Sequence, residues 1–405
     1  MPDYPNFTTN ETINTKNVKD KLVEYYIQSL GENKLPWERG WVDTQRAYNP
    51  VTGAKYHGNN YVLLQFISMI KEYDDPRWCT IKQANQQGWK IKPKPEEVKK
   101  NGEIYGVPLK YWLPCEINKQ GKFEKWISWD EYNQWKLDTE DKRTLDVRSK
   151  TFYVYNAKEI EGIPELEIPA QNEEINPVPF IDDLIKNMGV GYHEGGNQAF
   201  YNVATDSVIV PRKEQFLTEY DYHSTRLHEL CHATGHNSRL NRDQQGTFGS
   251  QEYAKEELRA EIASSFLSQD IKLPFSEEHL KNHAAYIQSW IEVLKKDPDE
   301  LFRAIKSADE IEKYVLKVGD WERYQELSLN AKKLDGIELD GYYGTWHLVA
   351  QADRNGETYY MFEHDEYGDQ TAYVITDKEL SPVTETMDDI NLALDEQFEE
   401  VEQEV

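Results

Sequence analysis

Cysteine is scarce in this chain. There are three in 405 residues, Cys79, Cys115 and Cys231, at unrelated spacings. Such spacings make no disulfide framework, which excludes the small secreted scaffolds that depend on one and points to a reducing cytoplasm. No run of about eighteen apolar residues occurs, so a membrane-spanning helix is not expected. The start, Met1-Pro2-Asp3-Tyr4-Pro5, lacks the basic and apolar parts of a signal peptide. No internal repeat is apparent. Positive charge is short too: 46 Lys+Arg against 73 Asp+Glu leave a net charge of -27. Spread evenly, that charge would argue against a nucleic-acid partner, but it is uneven. Residues 1–150 carry 24 basic against 21 acidic residues, 151–335 carry 20 against 33, and 336–405 carry 2 against 19. The acidity belongs to the rear, and the front third stands apart from it.

What the chain does have is aromatic residues, Trp 11 and Tyr 26, within a hydrophobic content of 38% that supports folded cores. Its length suits two or three domains. In the front third, basic and aromatic residues interleave: Trp37, Arg39 and Trp41, then Lys55, Tyr56 and Asn59 after a turn at Pro50-Val51-Thr52-Gly53. Trp78, Lys82, Gln83, Trp89, Lys90 and Lys92 follow. Rings that stack on bases, flanked by cations that meet phosphates, are what a single-strand binder needs. The competing reading packs the tryptophans in a core and leaves the lysines in solvent.

The sharpest motif is His228-Glu229-Leu230-Cys231-His232. Two imidazoles four residues apart share one helix face and can grip one metal ion, and the intervening glutamate can take a proton from metal-bound water. This is the arrangement of zinc-dependent peptidases. Leu227, Leu230, Cys231 and Thr234 give the helix an apolar face, and Gly235 suits its end. A catalytic zinc needs a third protein ligand. The metzincin position, six residues after the second histidine, holds Ser238, and His236 lies close behind Gly235. A better source is the helical stretch Tyr253 to Leu267, with Leu258, Ile262 and Phe266 on one ridge and Glu257, Glu261 and Ser264 on its neighbour. It resembles the second helix of the glutamate-zincins. That resemblance makes Glu257 the ligand, Glu261 the partner that orients a histidine, and Ala260 the small residue between them; the exchange of the two glutamates stays open. The bland alternatives are buried hydrogen-bonded histidines and a solvated acidic face.

Periodicity predicts helices over 10–31 and 61–73, short strands near Pro108–Pro114 and Phe152–Asn156, and a linker at Ile163–Pro179. Phe180–Met188 begins a helix. Ala199–Tyr201 and Asp206–Val210 read as strands, with Ser207–Val210 expected to be the edge strand that aligns a peptide substrate. Helices follow at Ala284–Lys296, Asp299–Ser307 and Ala308–Val318, then strands within Gly341–Thr376 and an acidic end at Asp388–Val405.

Several ordered blocks resemble the ArdC family of antirestriction proteins: Leu35-Pro36-Trp37, Asn49 to Gly53, Tyr56 to Asn60, Trp78 to Gln83 and Tyr155 to Gly162 in the front part. His228 to His236, Ser238 to Arg242 and Tyr253 to Leu267 continue it behind. The similarity covers roughly residues 15–320. It departs at Lys94 to Gly102, where relatives carry a basic Gly-rich turn, and residues from Leu334 onward extend beyond the family core. The resemblance implies an α+β chain: a mixed α/β single-stranded-DNA-binding domain (1–165), a helix-rich zincin-like metallopeptidase domain (166–335) and a small, β-containing acidic extension with a tail (336–405). It implies a cytoplasmic protein of a conjugative plasmid or element that protects incoming DNA from host restriction. Its peptidase would use Glu229 on a metal held by His228, His232 and Glu257. Zinc is the expected ion, and manganese or another divalent ion suits the same donors. A host protein or restriction enzyme would be the peptidase substrate. The alternative is a non-catalytic DNA-binding shield with a structural metal.

Overall fold

The computed structural model of the chain describes residues 11–36, 46–138, 141–166, 177–244, 246–247, 249–273 and 284–325, and four strands between 346 and 382. Helices and mostly antiparallel sheets combine in the chain, which is the expected α+β class. The chain divides into two compact units, Met1–Gly319 and Asp320–Val405.

The first unit opens with α1 (Val18–Gly31) and α2 (Gly58–Ile70). α1 starts later than its amphipathic pattern suggests. The side chain of Asn17 accepts from the Asn14 N–H and that of Asn14 from the Lys16 N–H, so local turns replace helix there. The chain continues through β1 (Trp78–Cys79), α3 (Ile81–Gln86), β2 (Lys90–Ile91), α4 (Glu96–Asn101), β3 (Val107–Ile117), β4 (Phe123–Trp126), α5 (Trp129–Leu137), β5 (Thr144–Asn156) and β6 (Ile160–Glu161). The main sheet has the order β1-β5-β3-β4, and β2 pairs with β6. β3 and β5 pair antiparallel from Val107–Val154 to Ile117–Thr144, a longer ribbon than the short strands expected there.

The second half of this unit runs α6 (Val178–Met188), β7 (Gly191–Glu194), β8 (Phe200–Asn202), β9 (Ser207–Val210), α7 (Glu219–Ala233), α8 (Gln251–Asp270), α9 (Ala284–Lys296) and α10 (Asp299–Val318). The small sheet has the order β7-β9-β8. β9 is therefore its centre, paired on both sides, and Ser207–Val210 has no free edge to offer a peptide; that edge belongs to β8. The two helices expected at 299–307 and 308–318 are one. Their junction, Ser307-Ala308-Asp309, holds no Gly or Pro, and the buried stripe Leu301, Ala304, Ile305, Ala308, Ile311 and Val315 crosses it unbroken. α10 packs on α8, which also meets α7 and α9. α1 packs on α9 and α2 on α10, so front and rear halves share one core.

The second unit holds β10 (Trp346–Arg354), β11 (Glu357–His364), β12 (Gln370–Thr376) and β13 (Glu379–Pro382) as an antiparallel meander. The acidic stretch 388–405 lies outside the described residues.

One ionic cluster joins the halves. Arg46, with a side chain 7% exposed, bonds both oxygens of Glu312 on α10, reaches Asp270 Oδ2 on α8 at 3.2 Å, and lies 4.4 Å from the Tyr61 ring centroid. Glu312 is fully buried, so losing its partner would leave an uncompensated buried charge. Arg46→Met should lower the unfolding free energy by about 3–5 kcal/mol. A urea midpoint equal to that of the unsubstituted protein would show that the cluster does not hold the halves together.

Candidate metal centre

α7 begins at a capped end. The Thr218 hydroxyl accepts from the Asp221 N–H at 3.0 Å, and Glu219 and Asp221 complement the helix dipole. Leu227, Leu230 and Cys231 are fully buried on its inner side, which fixes the rotation of the helix and turns His228, Glu229 and His232 towards α8. On α8, Glu257 and Glu261 are buried together with the small residue Ala260 between them.

His228 Nε2 and His232 Nε2 lie 3.2 Å apart. Glu257 faces both, with Oε2 3.6 Å from the first and Oε1 3.5 Å from the second. Ligands on a tetrahedral ion with bonds of about 2.1 Å stand roughly 3.4 Å from one another, so these three donors fit a divalent metal ion. Glu261 is fully buried and lies behind the ring, 3.2 Å from His228 Nδ1. Of the two arrangements left open by the sequence, this one puts Glu257 on the converging side and Glu261 on the outer side. His236 turns away, its Nδ1 2.7 Å from Ser238 Oγ.

The charges at the seam are strongly coupled. Burial alone would lower His232, but Glu257 and Glu256 outweigh it and raise the imidazole to about 9. Burial likewise opposes protonation of His228, yet Glu257 and Glu261 hold it well above the ordinary range. Burial would raise Glu257, and the two histidines reverse that and hold it well below the carboxylate range. Glu229 is raised, by burial first; His228 and His232 oppose this, and the Tyr201 backbone N–H donates to its carboxylate. A raised glutamate suits a group that must accept and return a proton.

Sequence reasoning missed Glu256. Its carboxylate lies 3.4 Å from His232 Nδ1 and accepts from Arg242 Nη2 at 2.6 Å. Arg242 also donates to the Cys231 carbonyl and the Thr234 hydroxyl, and Gln244 donates to the His232 carbonyl at 2.7 Å. Where the loop folds back, the Gln244 side chain lies against Gly235: a Cβ there would stand 2.5 Å from it. The block Ser238 to Arg242 was visible in the sequence, but its spacing from Glu256 carries no periodic signal.

A cleft of about 860 Å³ opens over these groups, lined by Phe200, Tyr201, Val203, Phe216, Tyr253 and Tyr286 among others. The Tyr253 and Tyr286 hydroxyls lie 3.4 Å apart at its wall.

The residues expected to meet nucleic acid fare differently. Trp37, Arg39 and Trp41 lie outside the described residues. Trp78 is 1% exposed and forms part of the core, so it has no face for a base. Tyr56 donates its hydroxyl to the Trp78 carbonyl, and Asn59 donates to the Phe302 carbonyl. Gln83 closes a capping box with Thr80 on α3, and Trp89 packs against Cys79, Ala84 and Ile160. Each of these five has a packing, capping or hydrogen-bond partner that was invisible along the chain, and of the five Trp78 is buried while the other four are half-buried. Lys55 faces Asp270 at 3.8 Å; Lys82, Lys90 and Lys92 are exposed.

Residues 16–155 match the N-terminal domain of anti-restriction factor ArdC, 179–307 a zincin-like metallopeptidase domain, and 328–405 large polyvalent protein-associated domain 18. The chain is 32% identical over 327 residues to the uncharacterized protein y4eC of Sinorhizobium fredii, covering 94% of it and 79% of this chain. The chain belongs to the ArdC family of antirestriction proteins. Two DNA primases TraC of Escherichia coli are 35% and 36% identical to this ArdC-family chain over 314 and 306 residues, 74% of its length in each case. The chain spans 19% and 26% of those relatives. Its fold is that of the antirestriction ArdC protein from plasmid R388, solved metal-free (TM-score 0.56) and with Mn(II) (TM-score 0.54), both 24% identical. They cover 75% and 74% of this chain and 97% of theirs. Among the described residues no helix is long and apolar enough to cross a membrane.

Metal ligands must be deprotonated, so protons on the raised histidines compete with the ion. Affinity for a divalent metal should therefore rise with pH from neutral through about 9, the value for His232. Metal titrations across that range check it, and a flat affinity between neutral pH and 9 would contradict it.

Proposed function

We propose that this chain is an antirestriction protein of a conjugative element, with a metal-dependent peptidase centre and a front region, residues 1–165, that binds single-stranded DNA. The observation that carries the peptidase half is the convergence of His228 Nε2, His232 Nε2 and a Glu257 carboxylate beside a buried Glu229. His228, His232 and Glu257 are the metal ligands in this reading. Glu261 and Glu256 hold the Nδ1 sides of the two rings and leave Nε2 turned towards the metal position. Zinc is the expected ion; the Mn(II)-bound structure of the R388 protein favours manganese as a second candidate. When bound, the ion supplies Lewis acidity to a scissile carbonyl and lowers the pKa of water.

Glu229 takes the proton of the attacking water and returns it to the leaving amine. Its raised affinity for protons suits both steps. The outer edge of β8, next to Glu229, aligns an extended peptide by backbone pairing. The substrate is a segment of a host protein, with a restriction enzyme the natural candidate for a factor that protects incoming DNA. The DNA half of the reading rests on the match of residues 16–155 to the ArdC N-terminal domain. The setting is the cytoplasm, where incoming DNA meets host enzymes.

Glu229→Gln should keep fold and metal content while lowering proteolysis by a factor on the order of 10² or more. The measurement pairs metal analysis with cleavage of a candidate host protein and a restriction-protection assay. Undiminished cleavage would remove Glu229 from the chemistry. Full protection by the variant would favour a non-catalytic DNA shield with a structural metal.

A further inference from the structure

With the aromatic residues between Trp78 and Trp89 packed against the core, the place of a DNA strand on the front half has to be found elsewhere. Pleating sends alternate residues of β3 and β5 to the same side, and directly paired residues share a face. On one face Tyr153 stands opposite Pro108, Lys110 opposite Thr151, and Trp112 opposite Ser149. Trp112 is 59% exposed and Tyr153 49%. Lys110, Ser149 and Thr151 are exposed as well. The other face carries Leu109 and Cys115, both fully buried, so the ribbon is anchored from behind. At about 3.4 Å per residue, Tyr153 and Trp112 are offset along the strands by roughly 13–14 Å, with Lys110 midway.

Charge and edge chemistry narrow the occupant. None of these six residues is acidic, in a chain of net charge -27. Lys19 of α1, its Nζ 4.9 Å from the Phe302 ring centroid, lies near enough to Lys110 that burial and then the Lys110 charge lower its pKa, against the opposing pull of Asp299 and Asp20. The exposed ammonium group of Lys110, standing between two exposed rings, suits an anion. A peptide strand adding to β3 is disfavoured at this point. The Asn60 amide already occupies the backbone of Lys110, donating to its carbonyl at 2.7 Å and accepting its N–H at 3.1 Å. Stacking rings with cations between them suit a single-stranded nucleic acid.

We propose that this face of the β3–β5 ribbon is the single-strand contact surface, with Trp112 and Tyr153 stacking on bases and Lys110 meeting the phosphates between them. The assignment rests on the reading that the front half binds single-stranded DNA.

The test is a fluorescence-anisotropy titration of the full chain with a labelled short oligothymidylate. Trp112→Ala and Tyr153→Ala should each weaken binding about tenfold, and Trp112→Phe, which keeps a ring, should lose less. Lys110→Ala should flatten the slope of log affinity against log salt by about 0.7. Both rings are half exposed, so unchanged melting curves are expected and would show that fold is intact. Suppose instead that both alanine variants stay within about twofold while combined Lys82→Ala, Lys90→Ala and Lys92→Ala abolishes binding. The surface proposed here would then be wrong and the DNA reading would stand. No binding by the unsubstituted protein would overturn both.

Discussion

Three carboxylates buried on one helix set the terms for the rest of the rear half. Glu256, Glu257 and Glu261 of α8 are each less than a tenth exposed. Burying charged groups unpaired costs several kcal/mol apiece, so α8 is stable only where cations meet it. Arg242 meets Glu256, and the two imidazoles of α7 meet Glu257 and Glu261. That requirement fixes how α7 crosses α8, and it folds the loop after Gly235 back over the helix end. The same charge balance that holds the helices creates a place for a divalent cation. Structure and chemistry here have one cause.

A second buried ion cluster does for the front half what the histidines do for the rear. Arg46 leaves the front segment, lies against the Tyr61 and Phe266 rings, and neutralises Glu312 while facing Asp270. One guanidinium cannot satisfy two carboxylates equally. Glu312, with His57 and Arg46 outweighing its burial, is held at about 2, while Asp270 is raised by burial and by Glu312. The result is that the two family regions, 16–155 and 179–307, pack as parts of one unit rather than as separate beads.

The uneven charge is consistent with this division of labour. Of the 73 acidic residues, the 19 in 336–405 all lie in the second unit, which matches a domain of its own. The front half is close to neutral, and a neutral surface binds a strand through stacking more than through phosphate contacts.

The metal motif was legible in the sequence because helical spacing is local. His228 and His232 share a face whatever they pack against, and the glutamate pair three turns along α8 shows its periodicity in the same way. The helical character of α6 and α9 and three of the four strands of the second unit followed from the same local rules, while α10 read as two helices and β13 lies beyond the stretch that read as strands. The partners that orient the site did not follow from these rules. Glu256 and Arg242 meet because the loop after α7 turns back towards α8, and that contact has no sequence period. The aromatic residues divide the same way. Tryptophans beside lysines look alike in a core and on a surface, so Trp78 read as a platform although it is buried, while the exposed Trp112 drew no notice. Composition and spacing determined which metal-ligating, basic and aromatic residues this protein carries; only tertiary packing decided which rings face solvent and which carboxylate stands behind each histidine, because burial and long-range pairing depend on elements distant in the chain.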